Sequence, residues 1–187
     1  MRRFPRLLPP VLLSVVAAAW AADLDLTQRF LLLATTKTST MQKELDQASA
    51  AGYRVIGSSP TGGTEMAAIM EKVAKPPDNY QYFLLATTRT STMQKELSDA
   101  AAKGFRLLPK TIIAKEQMFG GQEIVLLMEK PPANPPYYKY LLLATSRTST
   151  MQKEMSQAVD EGYEVVGMAS RDEHLVILEK AVEPAGP

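Results

Sequence analysis

The chain has 187 residues, of which 45% are hydrophobic and 22% charged, and its formal net charge at pH 7 is +1. This composition is typical of a globular protein and excludes a disordered one. The nearly neutral charge gives no sign of the clustered basic face that a nucleic-acid-binding protein needs. The sequence contains no cysteine, which excludes disulfides, thiolate nucleophiles and zinc–thiolate sites.

The first 21 residues have the pattern of a cleaved export signal. Arg2, Arg3 and Arg6 precede an apolar run that ends in Ala-Trp-Ala at 19–21. We therefore predict a signal peptide over 1–21 and a periplasmic or secreted bacterial protein, with general secretion favoured over the twin-arginine route. A membrane anchor is the alternative, although the run is shorter than the roughly 20 residues that a spanning helix needs. After cleavage we expect no stable membrane span.

The rest of the chain contains three copies of one unit. The heptapeptide TSTMQKE occurs at 38–44, 90–96 and 148–154. Proline-rich segments separate the copies, and proline favours extended, semi-rigid linkers over continued strands. The predicted boundaries are repeat 1 at 29–74, repeat 2 at 80–130, repeat 3 at 138–181 and a flexible tail at 182–187.

Each copy opens with a short apolar run, FLLLAT, YFLLAT or YLLLAT, which predicts a first β-strand. The S-x-x-Q pattern that follows, beginning at Ser39 in the first copy, predicts a capping box at the start of a helix. Apolar residues then recur at i, i+4 and i+7, as in Met41, Leu45 and Ala48. This spacing predicts one buried stripe along the helix.

A glycine followed by an aromatic residue predicts the end of each helix, at Gly52, Gly104 and Gly162. YRVIG, FRLLP and YEVVG predict a second strand. After a loop of variable length, MAAIMEK, IVLLMEK and LVILEK predict a third. The predicted fold class is therefore α+β, with three tandem β-α-β-β repeats that each place one helix on a three-stranded mixed sheet.

The order of these elements has consequences for packing. If strands one and two run parallel, the constant motif and the variable loops share one edge of each sheet. Strands one and three are apolar at consecutive positions, so both sheet faces should be buried, yet one helix covers only one face. A unit of about 45 residues is also near the lower limit for independent folding. We therefore predict that the three sheets pack as a pseudo-trimer or on a second chain, with a homo-oligomer as one alternative.

Aromatic residues lead the later first strands, in Tyr80-Gln-Tyr82 and Tyr138-Lys-Tyr140, and the third copy has GYEVV at 162–166 before a last strand ending in a charged pair. This combination resembles small bacterial domains of unknown function whose second strand commonly reads Gly-Trp-Glu-Leu-Val. The resemblance extends loosely over all three copies. Tyrosine or phenylalanine replaces the tryptophan here, and TSTMQKE is not part of that pattern. The resemblance implies a fold and supplies no activity or catalytic residue.

The three copies have diverged unevenly. Eleven of thirteen positions are identical between LLATTKTSTMQKE at 32–44 and its counterparts at 84–96 and 142–154, whereas the loops between strands two and three share almost nothing. A common constraint therefore acts on the end of strand one and the start of the helix. This constraint is either structural, from capping and core packing, or functional.

The functional hypothesis concerns the basic residue that precedes each helix. Together with neighbouring hydroxyls and the free N–H groups of the first helical turn, it is suited to a polar or anionic ligand. An envelope protein that docks on the same edge is the other functional alternative. The candidate binding residues are Lys37, Thr38, Ser39, Lys43, Arg89, Thr90, Ser91, Lys95, Arg147, Thr148, Ser149 and Lys153.

Enzymatic chemistry has little support in this sequence. His174 is the only histidine and is interpreted as an exposed turn residue, so no repeated Ser/His/Asp set exists. Glu44, Glu96 and Glu154 are interpreted as solvated helix residues, and the methionines as core residues rather than a copper site. We predict a non-enzymatic, exported binding protein without metal or cofactor. The alternatives are a purely structural repeat protein and an uncharacterised hydrolase or transferase.

Overall fold

The structure, a computed structural model, describes residues 24–73, 79–133 and 137–183. The predicted signal peptide lies outside these ranges, as do residues 184–187 of the predicted tail. Val182 does not belong to a tail, because it is the last residue of a strand and pairs with Tyr137. No helix within the described ranges is long and apolar enough to cross a membrane.

The order strand, helix, strand, strand occurs three times along the chain, and we term the three segments unit 1, unit 2 and unit 3. Unit 1 consists of β1 (Phe30–Thr35), α1 (Thr38–Ala50), β2 (Tyr53–Pro60) and β3 (Met66–Lys72). Unit 2 consists of β4 (Gln81–Thr87), α2 (Thr90–Ala101), β5 (Arg106–Leu107), β6 (Ile113–Glu116) and β7 (Gln122–Lys130). Unit 3 consists of β8 (Tyr137–Thr145), α3 (Thr148–Asp160), β9 (Glu164–Ser170) and β10 (His174–Val182).

The predicted helix ends and the apolar stripe are confirmed. A glycine with φ between 86° and 89° follows each helix, a backbone conformation that glycine adopts without strain. In α1 the stripe of Met41, Leu45 and Ala48 is fully buried. Unit 2 departs from the predicted second strand, because Pro109 opens a short 3₁₀ turn between β5 and β6 and proline cannot donate to a strand ladder.

The third strand of each unit lies between the other two, so the sheet orders are β1-β3-β2, β4-β7-β5 and β8-β10-β9, with β6 also paired to β7. All paired strands are antiparallel. The predicted mixed sheet is therefore wrong, because the central strand separates the two strands that run parallel. Thr35 and Pro60 both pair with Met66, so the motif and the variable loop share one edge, as predicted.

The α+β fold is a row of alternating sheets and helices. In each sheet we term the face covered by the helix of the same unit the inner face, and the opposite one the outer face. On β4, Leu85 points inward to the α2 core, whereas Tyr82 and Leu84 point outward and pack on the core of unit 1. β8 divides in the same way, since Tyr140 and Leu142 belong to the core of unit 2. Side chains alternate along a strand, so β4 and β8 each contribute to two cores.

The ends of the row differ from its middle. The outer face of unit 1 exposes Phe30, Leu32 and Ile69. At the other end, the core of unit 3 is the smallest, with Met151, Ala158, Val176 and Leu178 as its buried members. The expectation that something covers the second sheet face therefore holds for units 2 and 3, where the preceding unit does so.

Candidate functional site

TSTMQKE starts each helix, but the predicted capping box is wrong. α1 begins at Thr38, and its N-cap residue is Lys37, which has an extended backbone and no side-chain cap. The N–H of Lys37 donates to Thr35 Oγ1 at 3.2 Å, and the equivalent bond precedes α2 and α3 at 3.1 Å. Ser39 lies inside the first turn and does not cap it, because a short threonine turn already orders the residues before the helix.

The glutamine of the motif joins one unit to the next. Gln42 Nε2 donates to the Tyr82 carbonyl oxygen at 2.9 Å, and Gln42 Oε1 accepts from the Leu84 N–H at 2.8 Å. Gln94 repeats both bonds on Tyr140 and Leu142, at 2.9 and 2.8 Å. The predicted partner of this side chain was the N-terminus of its own helix, whereas the observed partner is the following unit.

These paired bonds explain why a glutamine suits the position. β4 and β8 are edge strands, whose outward N–H and C=O groups lack a neighbouring strand. A primary amide carries one donor and one acceptor side by side, which matches the donor and acceptor that an edge strand presents. The glutamine therefore takes the place of a further strand at the edge of the next sheet.

An ionic cluster around a buried carboxylate lies at the same joint. Arg54, from the strand after α1, donates through Nε and Nη2 to both carboxylate oxygens of Glu129 at 2.8 to 3.2 Å. The Tyr82 hydroxyl donates to Glu129 Oε2 at 2.9 Å and accepts from the Val55 N–H at 2.9 Å. The side chain of Glu129 is 7% exposed, so unit 2 buries a carboxylate whose guanidinium partner comes from unit 1.

The protonation states at this joint follow from its contacts. Burial, together with the adjacent carboxylate of Glu129, raises the pKa of Tyr82 above its ordinary value, so the hydroxyl stays protonated and can donate. The hydrogen bond to Glu129 raises the pKa of Arg54, which keeps the guanidinium charged. The charged pair and the neutral phenol therefore form one hydrogen-bonded network.

The second joint has the same construction. Arg106 Nε donates to Glu179 Oε1 at 3.1 Å, the Tyr140 hydroxyl donates to Glu179 Oε2 at 3.1 Å, and the Leu107 N–H donates to the Tyr140 hydroxyl at 2.8 Å. The guanidinium also stacks on Tyr138, 4.4 Å from the ring centroid. The pKa of Tyr140 is raised by burial, as at the first joint.

The predicted binding residues mostly lie on the surface. Lys37, Arg89 and Arg147 are exposed, and within the described ranges their side chains form no hydrogen bond or ion pair. Lys95 pairs with Asp99 of the same helix at 2.6 Å. The other lysines and the serines of the set are exposed: Lys43, Lys153, Ser39, Ser91 and Ser149. Thr38 is half-buried and Thr148 exposed.

Within the described ranges, Thr90 is the member of this set whose side chain forms hydrogen bonds to another unit. Its hydroxyl donates to Glu173 Oε1 at 3.0 Å and accepts from Arg171 Nη2 at 3.0 Å. Arg171 also donates to the Thr88 carbonyl oxygen. A carboxylate of unit 3 therefore lies at the N-terminal end of α2, where the helix dipole favours negative charge.

Two interpretations of titratable residues need correction. Glu44 is not solvated: it is 5% exposed, and burial raises its pKa. Glu96 is half-buried, and Glu154 is exposed. His174 is half-buried at the start of β10, 3.3 Å from Ser170 Oγ. In the part of the chain that the structure describes, no group of three or more acidic or histidine side chains is arranged to hold a metal ion.

None of the sequence predictions concerned Arg54, Tyr82, Glu129 or their counterparts. A signal for them exists in the copies. Arginine follows the helix-ending Gly-aromatic pair in copies one and two, whereas Tyr-x-Tyr opens copies two and three. The arginines therefore occur one copy earlier than the tyrosines. This offset is expected if the arginine of each unit contacts the tyrosine-bearing unit that follows it.

The resemblance to small bacterial domains of unknown function stays a prediction. Comparison with protein-family models, with curated proteins and with solved structures finds no match. The joints between the units are therefore interpreted from their own geometry.

Proposed function

We propose that the protein is an exported, non-enzymatic interaction protein in which TSTMQKE is a docking element for the outer face of a β-sheet. One observation carries this proposal: Gln42 and Gln94 each bind the backbone of the next unit's edge strand through two hydrogen bonds. The third copy retains the same glutamine, Gln152, whose side chain is exposed and binds no strand in the part of the chain that the structure describes. Its partner would therefore be another protein.

The surroundings of Gln152 support this proposal. Gln152 is exposed and borders an open groove of about 520 Å³ between α3 and the sheet of unit 3. Met155, Val165 and Met168 line this groove, and the latter two are more than half exposed. A contiguous apolar surface with a polar anchor at its margin is characteristic of an interaction site.

The proposal includes the arrangement of the chain. The three units are tandem copies of one β-α-β-β repeat, and the two joints support the pseudo-trimer in the sense that each unit packs on its successor. Among residues 24–73, 79–133 and 137–183, no hydrogen bond or ion pair joins unit 3 to unit 1. The proposed interaction therefore uses an open end of the row.

A second candidate function, the binding of an anionic group before each helix, is supported by the α2 N-terminus. Thr90 there donates to the carboxylate of Glu173 from the same chain. Lys37 and Arg147 are exposed at the equivalent positions of units 1 and 3. A protein partner with an acidic side chain would be compatible with both candidate functions, because the anion found at the N-terminus of α2 is a carboxylate.

Substitution of the three glutamines tests the proposed docking role. Gln42→Ala and Gln94→Ala should each lower the free energy of unfolding by about 1–2 kcal/mol, because each leaves a strand N–H and C=O without a partner. Gln152→Ala should change it by less than about 0.5 kcal/mol. The measurement is chemical denaturation at low protein concentration. Gln157→Ala, at an exposed position of α3, is the matched control, and a neutral Gln42→Ala would refute the docking role.

A further inference from the structure

The outer face of unit 1 is an uncovered version of a surface that is covered in units 2 and 3. Phe30 occupies the position of Tyr82 and Tyr140, and Leu32 that of Leu142. Phe30 is 48% exposed and Leu32 68%, whereas Tyr82, Tyr140 and Leu142 are buried. Like β4 and β8, β1 is an edge strand. Unit 1 thus presents the apolar side chains that a preceding unit would bury.

The groove on unit 3 is the uncovered counterpart at the opposite end. Its lining residues Met151, Met168, His174 and Val176 correspond to Met41, Ser58, Met66 and Ala68 of unit 1. In unit 1 these positions lie against Leu84, Val125 and Leu127 from the outer face of unit 2. The groove therefore has the position and the apolar character of a surface that receives an outer sheet face.

We propose that unit 3 of one chain docks on the outer face of unit 1 in a second copy of the same chain. Gln152 would bind the carbonyl of Phe30 and the N–H of Leu32 in that copy, as Gln42 binds Tyr82 and Leu84. The proposal rests on the docking role of the glutamine and names the partner as a second copy. It continues an interface that the chain already forms twice, so no new type of contact is required.

The charges at the two free ends are complementary. At both internal joints an arginine of the preceding unit binds the glutamate of the next, but unit 3 has Glu164 at the position of Arg54 and Arg106. In unit 1 the corresponding glutamate, Glu71, is already bound by Arg29 at 2.7 Å. Glu164 would thus approach the exposed Arg29. The replacement of tyrosine by Phe30 agrees with this change, because Glu71 has its own partner.

Residues 24–28, in the described segment ahead of β1, do not cover the outer face of unit 1. Leu24 and Leu26 pack against the core of unit 1, on its inner side. The Tyr53 hydroxyl lies 2.9 Å from the Leu26 carbonyl oxygen and 2.5 Å from that of Gln28. The described part of the N-terminal segment is therefore held against Tyr53. Apart from the Arg29 guanidinium, 4.9 Å from the Phe30 ring centroid, it does not cover Phe30 or Leu32.

The proposed contact is heterologous, since two different surfaces meet. Such contacts produce a ring when the rotation between copies closes and an open filament when it does not. Either outcome predicts association of the full chain that increases with concentration. A variant blocked at one of the two surfaces would still present the other one. Experiments can therefore test the two surfaces separately.

Sedimentation velocity of the full chain and of two single variants tests this inference. Leu32→Arg blocks the outer face of unit 1, and Met168→Arg blocks the groove; both side chains are more than half exposed, so the fold should persist. The wild type should associate, and each variant alone should be monomeric. An equimolar mixture should form a 1:1 dimer, because each variant supplies the surface that the other lacks.

Phe119→Arg is the matched control, since Phe119 is an exposed aromatic residue in the loop before β7, outside both surfaces. It should associate like the wild type. A wild type that stays monomeric, single variants that associate normally, or a mixture that stays monomeric would each overturn the inference. These outcomes leave the docking role intact if Gln42→Ala still destabilises the chain, so the two failures are distinguishable.

Discussion

The two joints inside the chain and the two ends of the row are built from equivalent positions, and they differ in whether a neighbour is present. Glu129 and Glu179 are buried against an arginine of the preceding unit, whereas Glu71 in unit 1 forms a half-exposed pair with Arg29. Gln42 and Gln94 bind a strand, whereas Gln152 is exposed. The same residue therefore contributes to stability at a joint and remains available at an end.

This difference accounts for part of the uneven divergence of the copies. A residue that binds the next unit is constrained in every copy that has a successor. Gln152 binds no further unit within the described residues and yet is retained, while Glu164 and Phe30 depart from the arginine and tyrosine of the joints. In the proposed contact between two copies, the glutamine bonds of the joints are retained, whereas the arginine–glutamate–tyrosine cluster is replaced.

The largest expected effect is at the buried glutamate of a joint. Glu129→Ala should lower the free energy of unfolding by about 2–3 kcal/mol, because it leaves the buried Tyr82 hydroxyl without its acceptor and removes the charge-assisted hydrogen bonds of the half-exposed Arg54. Glu71→Ala, at the equivalent position of unit 1, should cost at most about 1 kcal/mol, as exposed ion pairs do. Chemical denaturation measures both, and equal losses would show that the joint does not bury its charge.

A smaller effect is expected from the tyrosine hydroxyls. Tyr82→Phe and Tyr140→Phe should each cost about 1–2 kcal/mol, because the hydroxyl bridges a carboxylate and a strand N–H. Hydrogen exchange should accelerate at the Val55 amide in the first variant and at Leu107 in the second. Phe30→Tyr is the control and should change stability by less than about 0.5 kcal/mol. Unchanged exchange at Val55 in Tyr82→Phe would argue against the bridge.

The smallest effect concerns pH and the buried Glu44. Burial raises the pKa of this carboxyl in the folded state, so its favourable contribution is fully present below the unfolded-state pKa and is lost as the pH rises through the folded-state pKa. Glu44→Gln should therefore be more stable than the wild type at neutral pH, by less than about 1 kcal/mol.

The advantage of Glu44→Gln should disappear at acidic pH, where the wild-type carboxyl is protonated. Glu154→Gln, at the same motif position on the exposed surface of α3, should show no such dependence on pH. Unfolding curves of the three proteins across the acidic range measure the difference. An advantage of Glu44→Gln that stays constant with pH would exclude burial of the charge as its cause.

Local patterns were sufficient for much of the fold. The glycines at 52, 104 and 162 end the helices, and the stripe of Met41, Leu45 and Ala48 is buried. Both features were predictable because they depend on backbone conformation and helical period within a few residues. The common edge of motif and variable loop also followed from strand direction. The capping box failed because the Ser-x-x-Gln spacing admits a second use, in which the glutamine binds a distant strand.

The candidate site was harder to predict. The exposed basic residues were chosen because they adjoin a helix N-terminus, and no contact of Lys37 or Arg147 within the described ranges tests that choice. The joint residues Arg54 and Glu129 are separated by most of a unit and carry no local motif. Their role follows from which units are neighbours, and that is a property of the folded chain.

The sequence by itself determined the α+β class, the order of strands and helices and the presence of three similar segments, since hydrophobic period, glycine stops and repeated letters are local and are read directly. Tertiary structure alone decided that the third strand is central, that α1 and α2 each lie between two sheets and that Glu44 is buried. Strand pairing and burial depend on contacts between residues far apart in the chain, and many pairings satisfy the same apolar pattern. The choice among them is made by how the sheets and helices pack together.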